Sequence, residues 1–314
     1  MCTLRAFVGV TDGDWYRFLA SNPQITEVNF WKPGGETGFQ ALQPGEPFIF
    51  KTHWPHNSLV GGGYFEGFVR LPVSTAWEFF GTGNGVESLD EMRERVGKYR
   101  RQPIGPYDDP EIGCVLLNEV KFVPQDSVTL APDDFSKHIV QGKGYDVGVT
   151  SSNSVIDLFV QQLMISVDSA GSRDTRRIDG PVFGEPRLVR PRLGQGGFQA
   201  LVLDAYDRRC SITHHKIAPT LQAAHIKPVS KGGEHRLDNG VLLRSDVHTM
   251  FDRGYLGVTP DYKLQVSSRL RTDFGNGEEF YARHGEIIRL PQHQSDRPNS
   301  EFLEWHMDEV FKAS

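Results

Sequence analysis

The chain has 314 residues, 38% of them hydrophobic, with 34 Lys and Arg against 40 Asp and Glu for a formal net charge of −6. That length exceeds what one core usually organises, so two domains are expected. No run of about 18 apolar residues occurs, which excludes a helical membrane span, and "MCTLRAFVGVTDGD" lacks the basic segment and apolar core of a signal peptide.

The first half, residues 1–150, reads as mainly β structure. "AFVGV" (6–10), "EVNFW" (27–31), "PFIFKTHW" (47–54), "LVGGGYFEGFV" (59–69) and "IGCVLLNEVKFV" (112–123) are rich in β-branched and aromatic residues. Turns such as "KPGGETG" and "LQPGEP" separate them. Two helices are expected, "STAWEFFG" (74–81) and "SLDEMRERVGKYRR" (88–101). The second opens on a capping box, Ser88 with Glu91 three residues on. Strands with inserted helices predict a small, strongly bent sheet or barrel.

Residues 151–170 predict one helix. The Gly-, Pro- and Arg-rich stretch 171–197 then reads as an interdomain linker, so that 151–192 form a helix-plus-linker segment between domains at 1–150 and 193–314. Beyond it, 198–209 predicts a helix, "CSITHHK" and "LQAAHIKP" short extended pieces, and "GVLL" (240–243) a strand. "SDVHTMFD" (245–252) predicts a helix capped by Ser245, "DYKLQVSSRLR" (261–271) an alternating strand, and 300–312 a closing helix.

Charge and cysteine usage narrow the setting. Residues 186–260 carry 11 Lys and Arg against 6 Asp and Glu, a surplus of +5, which leaves −11 on the rest. A basic segment in an acidic chain is the footprint of a phosphate-binding face, although a solvated surface gives the same count. Cys2, Cys114 and Cys210 are odd in number and far apart, with no C-x-x-C pair. Neither a disulfide framework nor a four-cysteine zinc site is expected, and a reducing, cytoplasmic location is the simplest reading.

The chemistry concentrates in "LQAAHIKPVSKGGEHRLDNGVLLRSDVHTMFDRG", residues 221–254. His225 ends an extended piece, Pro228 and "KGGEH" force a loop, Asn239–Gly240 makes a turn, and a helix follows. His248 and Asp252 lie at i, i+4 on that helix and share a face. An imidazole and a carboxylate so spaced suit one divalent cation. Hydrolysis of a phosphodiester needs a base for water, which a neutral His supplies near pH 7, and neutralisation of charge on the phosphate and leaving oxygens, which one metal supplies. Asn can hold the loop through hydrogen bonds on both sides of its amide.

These residues resemble the His-Asn-His (HNH) nuclease motif of the ββα-metal superfamily. The resemblance covers about residues 192–314 and includes the spacing, the Gly-Gly, the Asn-Gly and the "HTMFDRG" helix. It implies that His225 is the general base, Asn239 the middle Asn, and His248, a catalytic position, a metal ligand together with Asp252. Ala224 stands where many relatives carry an Asp or His ligand, so the implied cation, Mg²⁺ or Mn²⁺, would be completed by water and substrate oxygens. Lys227 and Arg244 flank the motif as candidate phosphate contacts, while His214, His215 and His235 read as loop or phosphate-facing residues.

In the first half, Trp15, Trp31, Trp54 and Trp77 fall within 77 residues. The stretch from "VNFWKPGG" to "TAWEFFG" is similar to PUA/EVE-type domains, some of which read modified cytosine. Trp31, Trp54 and Phe65 are the candidate walls of a pocket for an extruded base, the competing reading being that they form a barrel core. The expected protein is therefore α+β: a PUA-like small β-barrel with inserted helices, then an HNH domain. The implied activity resembles that of modification-dependent (type IV-like) restriction endonucleases acting on double-stranded DNA, with no membrane partner. Cutting both strands with one site per chain calls for a homodimer or two visits. Two alternatives stand beside it: a nuclease whose first domain senses a small nucleotide or a protein, and a non-catalytic DNA-binding protein.

Overall fold

The computed structural model describes residues 4–34, 38–105, 107–124, 128–147, 155–168 and 193–313. The chain divides into two compact units, Met1–Pro191 and Arg192–Ser314. Both helices and strands contribute to each, the α+β class expected from the sequence.

The first unit is built on strands β1 (Leu4–Thr11), β2 (Val28–Lys32), β3 (Pro47–Thr52), β4 (Ser58–Pro72), β5 (Glu111–Phe122), β6 (Thr129–Leu130) and β7 (Gly142–Val147). Among the described residues they form one sheet in the order β2-β5-β4-β3-β1-β7, with β6 paired to β4. The β1–β3 pair is parallel and the others are antiparallel. The long β4 bends through register shifts at Gly62/Tyr64 and Phe65/Gly67. Such extra residues increase local twist, which is how one strand can pair with three others.

Among the described residues four α-helices accompany the sheet: α1 (Gly13–Ala20), α2 (Val73–Phe80), α3 (Leu89–Arg100) and α4 (Val155–Asp168). The Ser88 hydroxyl accepts from the Glu91 N–H at 3.2 Å, as the capping box predicts. Glu91 reaches back to the N–H of Glu87 at 2.8 Å, one residue earlier than the motif requires. Helix α1 was not expected. Its signal was an Asp12 cap, which accepts from the N–H groups of Asp14 and Trp15, and a Trp15/Leu19 pair at i, i+4 that is buried.

The sheet is buried on both faces, which is why β3 reads as a continuous apolar run. Phe48 and Phe50 pack with Trp15, Phe65 and Leu117 on one side. Ile49 packs with Ala6, Val8 and Leu59 on the other, where Ile156, Phe159 and Val160 of α4 close the layer. A side chain at Gly62 would strike the Phe48 carbonyl of β3 and the end of Leu163 of α4, so the glycine admits the close approach of both. Helix α4 thus packs as part of the first unit's core. The expected linker at 171–197 falls largely outside the described residues. Its last residues, from Gln195, already begin the next helix.

The second unit contains α5 (Gln195–Ala205), β8 (Leu221–His225), β9 (Gly240–Arg244), α6 (Ser245–Asp252), β10 (Leu256–Val258), β11 (Leu264–Val266), α7 (Arg269–Phe274), α8 (Glu278–Tyr281) and α9 (Ser300–Glu309). Strands β8 and β9 form an antiparallel hairpin, and β10 and β11 form another. Two expectations need correction. The strand predicted over 261–271 is confined to β11, because the Ser267 hydroxyl accepts from the Arg269 N–H at 3.2 Å and turns the chain into α7. Helix α6 is capped by Arg244 without a side-chain bond, and Ser245 is its first residue.

Candidate active site

The site is assembled by β8, the loop 226–239, β9 and α6. In the hairpin Ala224 faces Val241 and His225 faces Gly240. The loop returns on itself in a fixed path. Gly232 has φ +81°, a conformation that favours glycine, and a side chain at Gly233 would strike the Lys227 carbonyl. Asn239, fully buried, ties the loop together. Its amide donates to the carbonyls of Lys227 and Glu234, and its oxygen accepts from the Lys227 N–H, all at 2.9 Å.

Gly240 leaves space that Phe198 and Val202 of α5 occupy. The Phe198 ring stacks on the His225 imidazole at 4.1 Å and 11°. His225 Nε2 lies 3.0 Å from His235 Nδ1, so one of the two nitrogens donates to the other. Burial, with smaller contributions from His235 and His248, lowers the His225 pKa to about 4. The ring is therefore neutral near pH 7, the form a base requires.

On α6, His248 Nδ1 is 2.9 Å from Gln222 Oε1. An amide oxygen only accepts, so Nδ1 carries a proton, and in the neutral ring Nε2 is the nitrogen with the free lone pair. Nε2 faces Asp252 Oδ2 at 3.3 Å. Burial raises the Asp252 pKa, and His248 opposes the shift. Two acceptors turned towards one point, one held in its tautomer by a neighbouring amide, suit a small divalent cation. Among the described residues no group of three or more His, Cys, Asp or Glu is gathered around such a point. The donor set therefore fits a cation with two protein ligands and the remainder from water and substrate.

Residues 210–259 match a family model described as HNH endonuclease. The second unit holds an HNH endonuclease domain. No curated protein matches the chain. Among solved structures, ASCH from Zymomonas mobilis is similar at 12% identity, covering 41% of this chain and 88% of that one, with a TM-score of 0.26. A modification-dependent restriction endonuclease, TagI, is similar at 13% identity, covering 98% of this chain and 82% of that one, with a TM-score of 0.28.

Within the HNH domain, His225, Asn239, His248 and Asp252 occupy one strand–loop–strand–helix unit. The structure adds three residues that sequence reasoning missed. His235, read as a loop or phosphate-facing residue, meets His225. Gln222 meets His248, and Phe198 stacks on His225. The last two had a faint signal: Gln222 lies two residues before Ala224 on the same strand face, and Phe198 is the first large apolar residue of α5. The Arg244 guanidinium makes two bonds to Asp246, at 2.6 and 2.7 Å, and faces Glu279 at 3.7 Å. Lys227 keeps its ammonium 5.6 Å from the Trp305 ring centre. His306, buried on α9, stacks on Phe251 of α6 at 3.7 Å and supports α6 from behind.

The first unit has a cleft of about 740 Å³ lined by residues that include Trp15, Phe30, Trp31, Tyr99 and Arg101. Of the three expected pocket residues only Trp31 lines it. The Trp31 indole is held by a 3.0 Å bond from Nε1 to the Asn84 carbonyl. Phe65 is instead 4% exposed and packs on Phe39 within the core, because its strand position faces the layer filled by α1 and β3. Trp54 is 68% exposed and does not line the cleft.

Proposed function

We propose that this chain is a metal-dependent DNA endonuclease that restricts foreign DNA carrying modified cytosine. The HNH domain hydrolyses the phosphodiester, and the first unit accepts the modified base after it leaves the duplex. The observation that carries the reading is the presence in one chain of an HNH constellation and a separate aromatic-walled cleft. Its size lies in the range of roughly 300–1,000 Å³ common to small-molecule sites, and chemistry or inspection at a single base requires its extrusion into such a pocket.

In this reading His225 is the general base. With Nε2–H donated to His235, the Nδ1 lone pair takes the proton of the attacking water. The water oxygen bonds to phosphorus as the bond to the leaving oxygen breaks. Phe198 and His235 keep the imidazole in one orientation, and Asn239 holds the loop that carries His235. His248 and Asp252 hold Mg²⁺ or Mn²⁺, which when bound neutralises charge on the phosphate and leaving oxygens. Lys227 contributes a positive charge next to the loop.

The test is cleavage of matched duplexes with and without modified cytosine, in Mg²⁺ and in Mn²⁺. Preferential cutting of modified DNA is expected. His225→Ala should slow cutting by about 10²–10⁴-fold. Full activity of that variant would refute the base assignment, and equal cutting of all duplexes would refute selection by modification.

A further inference from the structure

The cleft in the first unit holds more than its aromatic wall. Lys32, His53, Arg101 and Gln141 also line it. Among the described residues none of these four side chains makes a hydrogen bond or an ion pair. The Lys32 ammonium lies 5.1 Å from the Phe39 ring centre, its only such contact, and burial lowers its pKa. The other polar groups of the cleft are committed: Tyr99 donates to Asp12 at 2.5 Å, and Arg95 pairs with Glu91 at 2.7 Å. One side of the cleft is thus a fixed indole, and the rest offers four uncommitted polar heads.

His53, Arg101 and Gln141 are exposed and Lys32 is half-buried, so a 5-methyl group would offer these heads no partner beyond water, whereas a polar substituent would give them acceptors. Size points the same way. At roughly 30 Å³ per heavy atom, the share of a water in the liquid, the cleft, part of which opens to solvent, has room for at most about 25 heavy atoms. Cytosine brings roughly eight, and 5-hydroxymethylcytosine roughly ten. Adding a hexose to the hydroxymethyl group gives about 21, together with several hydroxyls that accept from ammonium, guanidinium, amide and imidazole.

We propose that the cleft takes a cytosine whose 5-substituent carries a sugar, with the pyrimidine against Trp31 and the sugar hydroxyls meeting Lys32, His53, Arg101 and Gln141. The inference rests on reading the first unit as the modified-base reader and names the class of modification.

The experiment uses the full chain and four matched duplexes bearing cytosine, 5-methylcytosine, 5-hydroxymethylcytosine and glucosylated 5-hydroxymethylcytosine. Binding is measured with EDTA, and cutting is measured separately in Mg²⁺ and Mn²⁺. The glucosylated duplex is expected to bind at least tenfold more tightly than the hydroxymethylated one. Arg101→Ala and Gln141→Ala, checked for folding by circular dichroism, should each reduce that ratio several-fold. Tightest binding of the methylated or hydroxymethylated duplex overturns the sugar inference and leaves modified-base reading intact. Equal binding of all four overturns both. A ratio unchanged in both variants overturns the assignment of the polar heads.

Discussion

Asn239→Ala is the most informative single change in the second unit. Asn239 is fully buried and makes three side-chain bonds of 2.9 Å, to the Lys227 N–H and to the carbonyls of Lys227 and Glu234. At about 0.5–1.5 kcal/mol each, and with one part-buried N–H and two carbonyls left behind, the loss should be about 2–4 kcal/mol. Asn239→Asp should cost at least as much. It keeps the acceptor for Lys227 but turns a charged oxygen towards two carbonyls. Hydrogen–deuterium exchange of peptides within 210–259 reads the loss locally, with the Lys227 amide as the direct reporter. The same loop carries His225 at its start and His235 near its end, so the turnover rate should fall by about 10–100-fold, as expected when a reacting group shifts by about 1 Å. A loss below about 1 kcal/mol with an unchanged rate would refute the view that this amide holds the catalytic loop.

Further outcomes follow from particular contacts. His235→Ala should lower the turnover rate by roughly tenfold, and His235→Gln, which keeps an acceptor for the His225 ring N–H, should recover part of it; equal defects would refute a positioning role. Ala224 is fully buried on the β8 face that it shares with Gln222, so Ala224→Asp should lower the melting temperature in EDTA, gain more from Mn²⁺ than the parent, and need less cation for half-maximal cutting; an unchanged cation requirement would sink the idea. Burial lowers the pKa of both His225 and His306 to about 4 from 6.5. Between those values the unfolded chain binds more protons, so metal-free stability of the second unit should be full above pH about 6.5 and fall as pH drops towards 4, a trend that thermal melts or local exchange would contradict if flat. Phe159→Ala should destabilise the first unit by about 3–5 kcal/mol, because Phe159 is 1% exposed beneath the sheet; exchange rates unchanged in β1 and β3 would show that α4 is not part of that core.

Elements whose residues act through local spacing were legible from the chain alone. His225, Asn239, His248 and Asp252 sit at separations that a hairpin and a helix bring into one strand–loop–strand–helix unit, and the Ser88 cap and most strand positions depend on near neighbours. Tertiary structure decided what depends on distant segments. Phe198 reaches His225 only because Gly240 leaves room for α5, and the pairing of His235 with His225 requires the loop that Asn239 closes. Gln222 was legible as a strand residue, but its bond to His248 depends on how α6 lies across the hairpin. Arg244 read as a candidate phosphate contact or a surface charge, and its approach to Glu279 depends on where α8 lies. Aromatic residues in the first half were the least legible. Trp31, Trp54 and Phe65 share a composition and a neighbourhood in the chain, yet one lines a cleft, one is exposed and one fills the core. Hydrophobicity states that such a side chain will be buried against something. Only the packing of β4 against β3, β5 and the helices states against what.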